Sequence, residues 1–464
     1  MQLPLPIDGL DTELASPSQR KSVAWRPIHY LGSKLRMLNS IRAALDKLEP
    51  TGLPVCDLFS GSGTVASGLA ADRDVVAVDI QEYARVLCSA LLSPGDIDPN
   101  ELIEEASRSL FTSERDGLGW AAAPLIEYEV QCFERARNGE LGPLCELIEA
   151  GSVVIYQFEK CRLGLSIPLE QTLRACISRL AKIGLESSRR SMAFRHFGGV
   201  YFSYKQALEL DLLLDLVDCH TSNSRDTVLA AVLSTASEIV NTVGKQFAQP
   251  LRPRQKNGQP KKTLFNLASR DRSKDTFDVF IQWVKKYDDV PRTHRKHSAV
   301  RDDYARFLTK SHSEIGVVYA DPPYTRDHYS RFYHVLETFC LRDNPAISTN
   351  KVNGSVHLSR GIYRQDRYQS PFCIRSQAPA AFERLFKATA DRGLPLVLSY
   401  SPYSAEKNAH PRVVRIEDIA DLAKRFFSET EVISAGEIFH SRLNKTSLNK
   451  GISYNAESLF LCRP

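Results

Sequence analysis

The chain lacks any Cys-x-x-Cys pair; its ten cysteines are scattered from Cys56 to Cys462. A zinc ribbon or a dithiol redox site would show that spacing, and a disulfide scaffold would be shorter and denser in cysteine. No apolar run approaches the roughly 20 residues of a membrane-spanning helix. The segment from Met1 to Gln19 has no basic stretch followed by an apolar one, so no signal peptide is expected. Internal repeats of fixed period and long low-complexity tracts are missing too. With 43% hydrophobic and 25% charged residues, composition excludes a mainly disordered or collagen-like chain. A length of 464 residues suggests about two to four domains. The expectation is a soluble, cytoplasmic chain with no resident metal.

Charge is unevenly spread. Lys and Arg number 60 against 55 Asp and Glu, a net +5. Between residues 245 and 301 there are 15 basic and 5 acidic residues, whereas residues 101–149 hold 4 basic and 11 acidic. A basic block in a nearly neutral chain is what a polyanion partner would select. A solvated loop would have the same composition.

Short apolar runs rich in β-branched residues occur at 55–59, 75–80, 317–319 and 394–399, with helical patterns at 34–48 and 65–70. Strands alternating with helices predict a parallel, helix-covered sheet. Residues 432–439 and 453–462 read as a closing pair of strands. The middle of the chain is mainly helical in pattern. Ser203-x-x-Gln206 is a capping box opening a helix to about Val217, and 228–240 reads as another. Residues 250–260, rich in Pro, Gly and basic residues, read as a loop or wing. The expected fold class is α/β, one sheet domain split in sequence by a helical insertion. Its expected parts are a tail (1–24), a first sheet part (25–98), the insertion (99–311) and a second sheet part (312–464).

Two motifs carry chemistry. In Val55-Cys-Asp57-Leu-Phe59-Ser60-Gly61-Ser-Gly63-Thr-Val-Ala66 a strand runs into two glycines and then a helix, so the backbone can turn sharply beneath a ligand. Asp79 ends the next strand, where a carboxylate can bond ribose hydroxyls. Gly61-x-Gly63-x-x-Ala66 with Asp79 also fits a dinucleotide-binding fingerprint. Asp57 and Ser60, however, suit a cofactor bearing an ammonium group better than a pyrophosphate. An ordinary glycine turn would show the same two glycines. The second motif is Asp321-Pro322-Pro323-Tyr324 after an apolar strand. Two prolines fix their φ angles and press the preceding residue toward an extended shape. Asp321 is thereby held at a strand end, where ligands bind in open α/β sheets. A carboxylate, a stiff carbonyl at Pro322 and the ring of Tyr324 could receive a planar base with an exocyclic amine. A rigid surface turn is the plainer alternative.

These residues resemble the S-adenosylmethionine-dependent DNA adenine-N6 methyltransferases. Tyr30-Leu-Gly32-Ser-Lys34 is similar to that family's N-terminal cofactor segment. Arg326-x-x-Tyr329-x-x-x-Tyr333-His334-x-Leu-Glu337 is similar to the segment after the catalytic tetrapeptide in the restriction-modification branch related to the Dam methylase. The resemblance covers roughly residues 26–90 and 312–464. It implies a Rossmann-like methyltransferase sheet with helices on both faces, split by a mainly helical DNA-recognition insertion. S-adenosylmethionine is the implied cofactor, and adenine N6 in a specific duplex DNA sequence the implied acceptor. Asp321, Pro322, Pro323 and Tyr324 are the implied catalytic residues. Tyr30, Gly32, Lys34, Asp57, Phe59, Gly61, Gly63, Asp79 and Ile80 would hold the cofactor, with Lys34 reaching its carboxylate and Ile80 lying against its adenine.

Duplex DNA is the expected partner, with Arg252, Arg254, Lys256, Lys261 and Lys262 as candidate phosphate contacts and Asn257 and Gln259 as candidate base readers. A cognate restriction nuclease or another defence-system subunit is a further expected partner, and association with the nucleoid would follow from DNA binding. The rivals are an RNA adenine or a DNA cytosine-N4 methyltransferase, the latter usually with Ser at the position of Asp321. A non-catalytic DNA- or nucleotide-binding module and a nicotinamide-dependent oxidoreductase belong to other classes. His294 and His297 have no neighbouring ligand pattern and read as solvated.

Overall fold

The computed structural model describes residues 25–159, 164–323, 329–352, 354–401, 413–434 and 457–464. The expected tail at 1–24 and Tyr324 lie outside them. Nine strands are present among the described residues: β1 (Val55–Leu58), β2 (Val75–Asp79), β3 (Ser298–Arg301), β4 (Val317–Ala320), β5 (Thr349–Val352), β6 (Ser355–Leu358), β7 (Leu396–Tyr400), β8 (Glu429–Ser434) and β9 (Ser458–Arg463). Seven form one sheet in the order β3-β2-β1-β4-β7-β9-β8. The first five run parallel, and β9 is antiparallel to both its neighbours. Strands β5 and β6 form a separate hairpin.

Side chains alternate across the sheet, as a period of two requires. Val55, Val75, Val317, Tyr319 and Val397 point into a core with the helices Leu38–Leu48 and Thr64–Leu69. Cys56, Leu58, Val76, Val318 and Leu398 point into the opposite core, under the helices Tyr304–Lys310, Ala378–Ala390 and Ile416–Ala423. The sheet is covered on both faces, the arrangement expected for parallel strands. The apolar runs around 55, 75, 317 and 394 are strands as expected, and the two late runs overlap the antiparallel β8–β9 pair, their parts at 435–439 and 453–456 lying outside the described residues.

The insertion differs from expectation at its far end. Within the span 99–311, β3 is an edge strand of the main sheet, paired with β2, and the helix Tyr304–Lys310 lies in a sheet core. Residues from 298 onward are thus built into the sheet layer. β3 is four residues long and partly exposed along its whole length, so it has no apolar period to betray it.

The helices of the insertion form a body of their own, which shares a core with the sheet domain through the helix Glu82–Leu92. Cys88 and Leu92 face the sheet, while Tyr83, Leu87 and Leu91 face the helical body. Arg85 binds Asp226 of the helix Ser222–Ile239 through two contacts of 2.7 Å. Ser203 caps Tyr204–Val217 by the expected box with Gln206. Residues 253–261 form a small turn-and-bridge wing, closed by Arg254 opposite Pro260. His297 Nδ1 lies 3.2 Å from the Val75 N–H and accepts from it.

Deep in the helical body, Glu129 accepts from Arg272 at 2.6 Å and from the Tyr204 N–H at 2.7 Å, with all three residues buried. Removing one member of a buried pair strands the other charge, at a cost of about 3–5 kcal/mol. Glu129→Ala is therefore expected to lower stability by that order in urea unfolding, whereas Glu127→Ala should leave it nearly unchanged.

Candidate active site

In this sheet the strand order reverses between β1 and β4, so the chain leaves their carboxyl ends in opposite directions and opens a crevice. Asp57 is the third residue of β1 and lies in register with Tyr319 of β4. Asp79 ends β2, and Asp321 follows β4. Three carboxylates reach the same crevice from three adjacent strands. Tyr30, Gly32, Lys34, Asp57, Phe59, Asp79, Ile80, Asp321, Pro322 and Pro323 all line it. Of the expected residues, Gly61 and Gly63 form the turn beneath it.

That turn requires glycine for steric reasons. Gly61 has φ +54°, and a Cβ there would sit 2.4 Å from the Tyr30 hydroxyl. The Gly61 N–H donates to Asp79 Oδ2 at 3.0 Å, while Asp79 Oδ1 accepts from the Gln81 N–H at 2.9 Å. Asp79 thus ties the turn to β2 while facing the crevice. Phe59, also at positive φ (64°), is held in that conformation by rings: Tyr304 at 5.2 Å and Phe372 at 5.3 Å.

The N-terminal segment is pinned by the residues after the Asp-Pro-Pro motif. Tyr30 stacks on Tyr333 at 5.0 Å, and the Leu31 N–H donates to the Tyr333 hydroxyl at 2.8 Å. Glu337 accepts from the N–H groups of Glu82 and Tyr83, capping the helix that joins the two cores. Tyr329 therefore lines the crevice, while Tyr333 and Glu337 anchor the segments that border it.

Electrostatics sets the character of the site. Burial, then Asp321 and Asp79, push the Asp57 carboxyl well above the usual carboxylate range. Burial raises Asp79 to about 6, against the N–H groups that hold it. Asp321 is also raised, by burial first; Lys34 opposes this and Glu457 adds to it. Lys34 is 5% exposed, with its ammonium 3.1 Å from Asp321 Oδ2 and 2.5 Å from Glu457 Oε1. The expectation for Lys34 is a cofactor carboxylate; its partners here are these two protein carboxylates. Asp57 Oδ2, Asp321 Oδ1 and Ser33 Oγ are buried with no hydrogen-bond partner. Such orphaned acceptors suit a ligand that carries positive charge and N–H donors, and S-adenosylmethionine has both.

Several lining residues escape a reading of the sequence. Asp302, Asp303 and Tyr304 follow the inconspicuous strand β3, and Tyr368 and Ser370 follow the hairpin. Glu457 meets Lys34 across 423 positions of sequence. No local pattern could have announced it.

The basic block is partly neutralised by folding. Lys245 and Arg270 pair with Asp271, Arg272 with Glu129, Lys274 with Glu238, Arg292 with Asp96, Arg295 with Asp74 and Arg254 with Glu149. Of the candidate phosphate contacts, Arg252, Lys256 and Lys262 are exposed, Lys261 is half-buried, and Arg254 is held by Glu149 at 2.9 Å. Counting charge along the chain misses carboxylates that arrive from elsewhere.

The sheet order, the covered faces and the crevice define a Rossmann-like methyltransferase fold. Residues 30–117 match the family described as D12 class N6 adenine-specific DNA methyltransferase. The chain is also 32% identical, over 415 residues, to the modification methylase LlaI of Lactococcus lactis subsp. lactis. That match takes in 86% of this chain and 49% of the relative, so the chain spans about half the length of the curated protein it matches. Among the described residues, no helix is long and apolar enough to cross a membrane.

Substituting the turn glycine tests the crevice. Gly61→Ala should weaken S-adenosylmethionine binding at least tenfold by calorimetry. Gly52→Ala also sits at positive φ (+84°) but has nothing within 4 Å of the added carbon, so it should leave binding unchanged.

Proposed function

We propose that this chain transfers a methyl group from S-adenosylmethionine to N6 of an adenine flipped out of a specific sequence in duplex DNA. The observation that carries the proposal is the Asp321 carboxylate. Its Oδ2 is fixed by Lys34, its Oδ1 is buried without a partner, and it stands at the switch point of the sheet. The family match and the likeness to a modification methylase support the same reading.

S-adenosylmethionine, when bound, supplies an electrophilic methyl group on a sulfonium. Asp57 would hold its ammonium and Asp79 its ribose, with Ile80 against its adenine. The exocyclic amine of the target adenine is a poor nucleophile, because its lone pair is delocalised into the ring. Asp321 Oδ1 and the Pro322 carbonyl would accept from that amine and favour the positive charge developing on nitrogen, a preorganised electrostatic stabilisation. Alignment of the two reactants supplies much of the remaining rate. A base stacked in a duplex cannot reach such a crevice, so the target must leave the helix. Tyr324 is the proposed stacking plate, worth on the order of 1–3 kcal/mol. Arg252, Lys256, Lys261 and Lys262 are proposed phosphate contacts. A cognate nuclease and a location in the cytoplasm, at the nucleoid, belong to the same proposal.

Asp321→Ala should lower methyl transfer by about 10²–10³ or more while leaving S-adenosylmethionine affinity within a few fold. The assay is transfer from the labelled cofactor to genomic DNA and, in parallel, to total RNA, with the product digested to nucleosides. Label in N6-methyladenine from DNA is expected. Label only in RNA, or near-normal turnover by the variant, refutes the proposal.

The pH dependence has a definite sign. Asp321 works as a carboxylate, and its pKa is raised, so kcat should be full above that pKa and fall as pH drops through it. Glu457→Gln removes a charge that raises it. The acid limb of the kcat profile should then move to lower pH; a limb that stays or rises rejects the coupling.

A further inference from the structure

Four guanidinium groups from separate segments form two neighbouring pairs, Arg331 with Arg367 and Arg252 with Arg360, without an ion-paired carboxylate among the described residues. Arg252, Arg331 and Arg360 are exposed and Arg367 is half-buried, and none makes an ion pair among the described residues. Tyr363 organises two of them: Arg367 lies 4.8 Å and Arg331 6.0 Å from its ring centroid. Such cation–π contacts hold a charge in place without neutralising it.

Hydrogen bonds fasten this segment to the wing side of the molecule. The Tyr363 hydroxyl donates to the Ala248 carbonyl, and the Tyr201 hydroxyl bridges the carbonyls of Phe247 (2.7 Å) and Gly361 (3.0 Å). Arg360 is thereby brought near Arg252. Burial, and then Arg252, lower the Arg360 pKa; burial, and then Arg331, lower that of Arg367. The charges thus repel in two pairs, Arg252 with Arg360 and Arg331 with Arg367, and the carboxylates nearest them, Glu149 and Asp366, oppose this only in part and are themselves ion-paired with Arg254 and Arg364.

The inner end of this strip reaches a second cleft of about 490 Å³ beside the candidate active site, and the two clefts share Ile80, Gln81, Asp302, Ser330 and Tyr368. Ser330 Oγ and Arg367 Nε are buried there without hydrogen-bond partners. The carboxylates lining the same cleft are already engaged. Asp366 binds Arg364, Asp302 binds Arg306, and Glu337 accepts from the N–H groups of Glu82 and Tyr83. Besides the ring nitrogen His334 Nδ1, what remains unsatisfied in this cleft are the donors of Ser330 and Arg367.

We propose that Arg252, Arg360, Arg331 and Arg367 form a track for the phosphodiester backbone of the strand carrying the target base, and that Ser330 and Arg367 receive the phosphate beside the flipped nucleotide. The inference rests on the adenine-methyltransferase reading of the crevice. Guanidinium groups match phosphate oxygens in geometry as well as charge. Extruding a base requires the backbone on either side of it to be gripped, and the strip leads from the wing to the crevice where that base must arrive.

Counterion release provides the test, because each phosphate neutralised adds about 0.9 to the slope of log affinity against log salt. Binding of a mixed-sequence duplex is followed by fluorescence anisotropy over a salt series, with S-adenosylmethionine binding measured by calorimetry as a check on folding. Arg331→Ala/Arg367→Ala should weaken duplex binding at least tenfold and lower the slope by about 2. Arg331→Lys/Arg367→Lys should keep most of the slope, and Lys182→Ala/Lys387→Ala, placed elsewhere, should keep all of it. An unchanged slope in the first double variant, with wild-type methyl transfer to DNA intact, overturns the track alone. A wild-type protein that neither binds duplex DNA nor methylates it overturns the track and the functional reading together.

Discussion

Three carboxylates in one desolvated crevice cannot all ionise cheaply, and the site is organised around that constraint. Asp57, Asp79 and Asp321 come from neighbouring parallel strands, so the sheet itself forces them together. Lys34 is the buried counter-charge, shared between Asp321 and Glu457. Because Lys34 holds one oxygen of Asp321, the other is left to accept from a ligand. Much of the surrounding structure keeps this arrangement rigid: the glycine turn held by Asp79, the Tyr30–Tyr333 stack, and Glu337 at the start of the joining helix.

The same economy explains how a large helical insertion is tolerated in the sheet domain. The helix Glu82–Leu92 is buried on nearly every side and belongs to two cores at once. It also follows directly on Ile80 and Gln81, which line both clefts. Whatever grips the helical body therefore acts on an element that begins at the crevice.

Legibility in the sequence follows the range of the interactions. Val55–Leu58 with its glycine turn, and Asp321 after an apolar strand, are set by adjacent residues and can be read at once. The capping box at Ser203 is readable for the same reason. Glu457, Asp302 and the edge strand β3 are not, because their roles arise from pairings with residues hundreds of positions away. The basic block misleads in the opposite direction. Its charges are real, but Glu129, Glu149 and Glu238 neutralise several of them, while three arginines without an ion pair among the described residues, Arg331, Arg360 and Arg367, lie outside it.

The topology also imposes an order of assembly. β1 and β2 must pair with β4 and β3, and the Val75 N–H meets His297 across 222 positions. Contacts inside the helical body span shorter stretches, and local contacts form faster than distant ones. On a chain made from one end, the early strands wait with open edges until the helical body is in place. Exposed strand edges of that kind invite pairing with other chains. The insertion thus sets how long the nascent sheet stays vulnerable to aggregation, a cost that grows with every residue placed between β2 and β3.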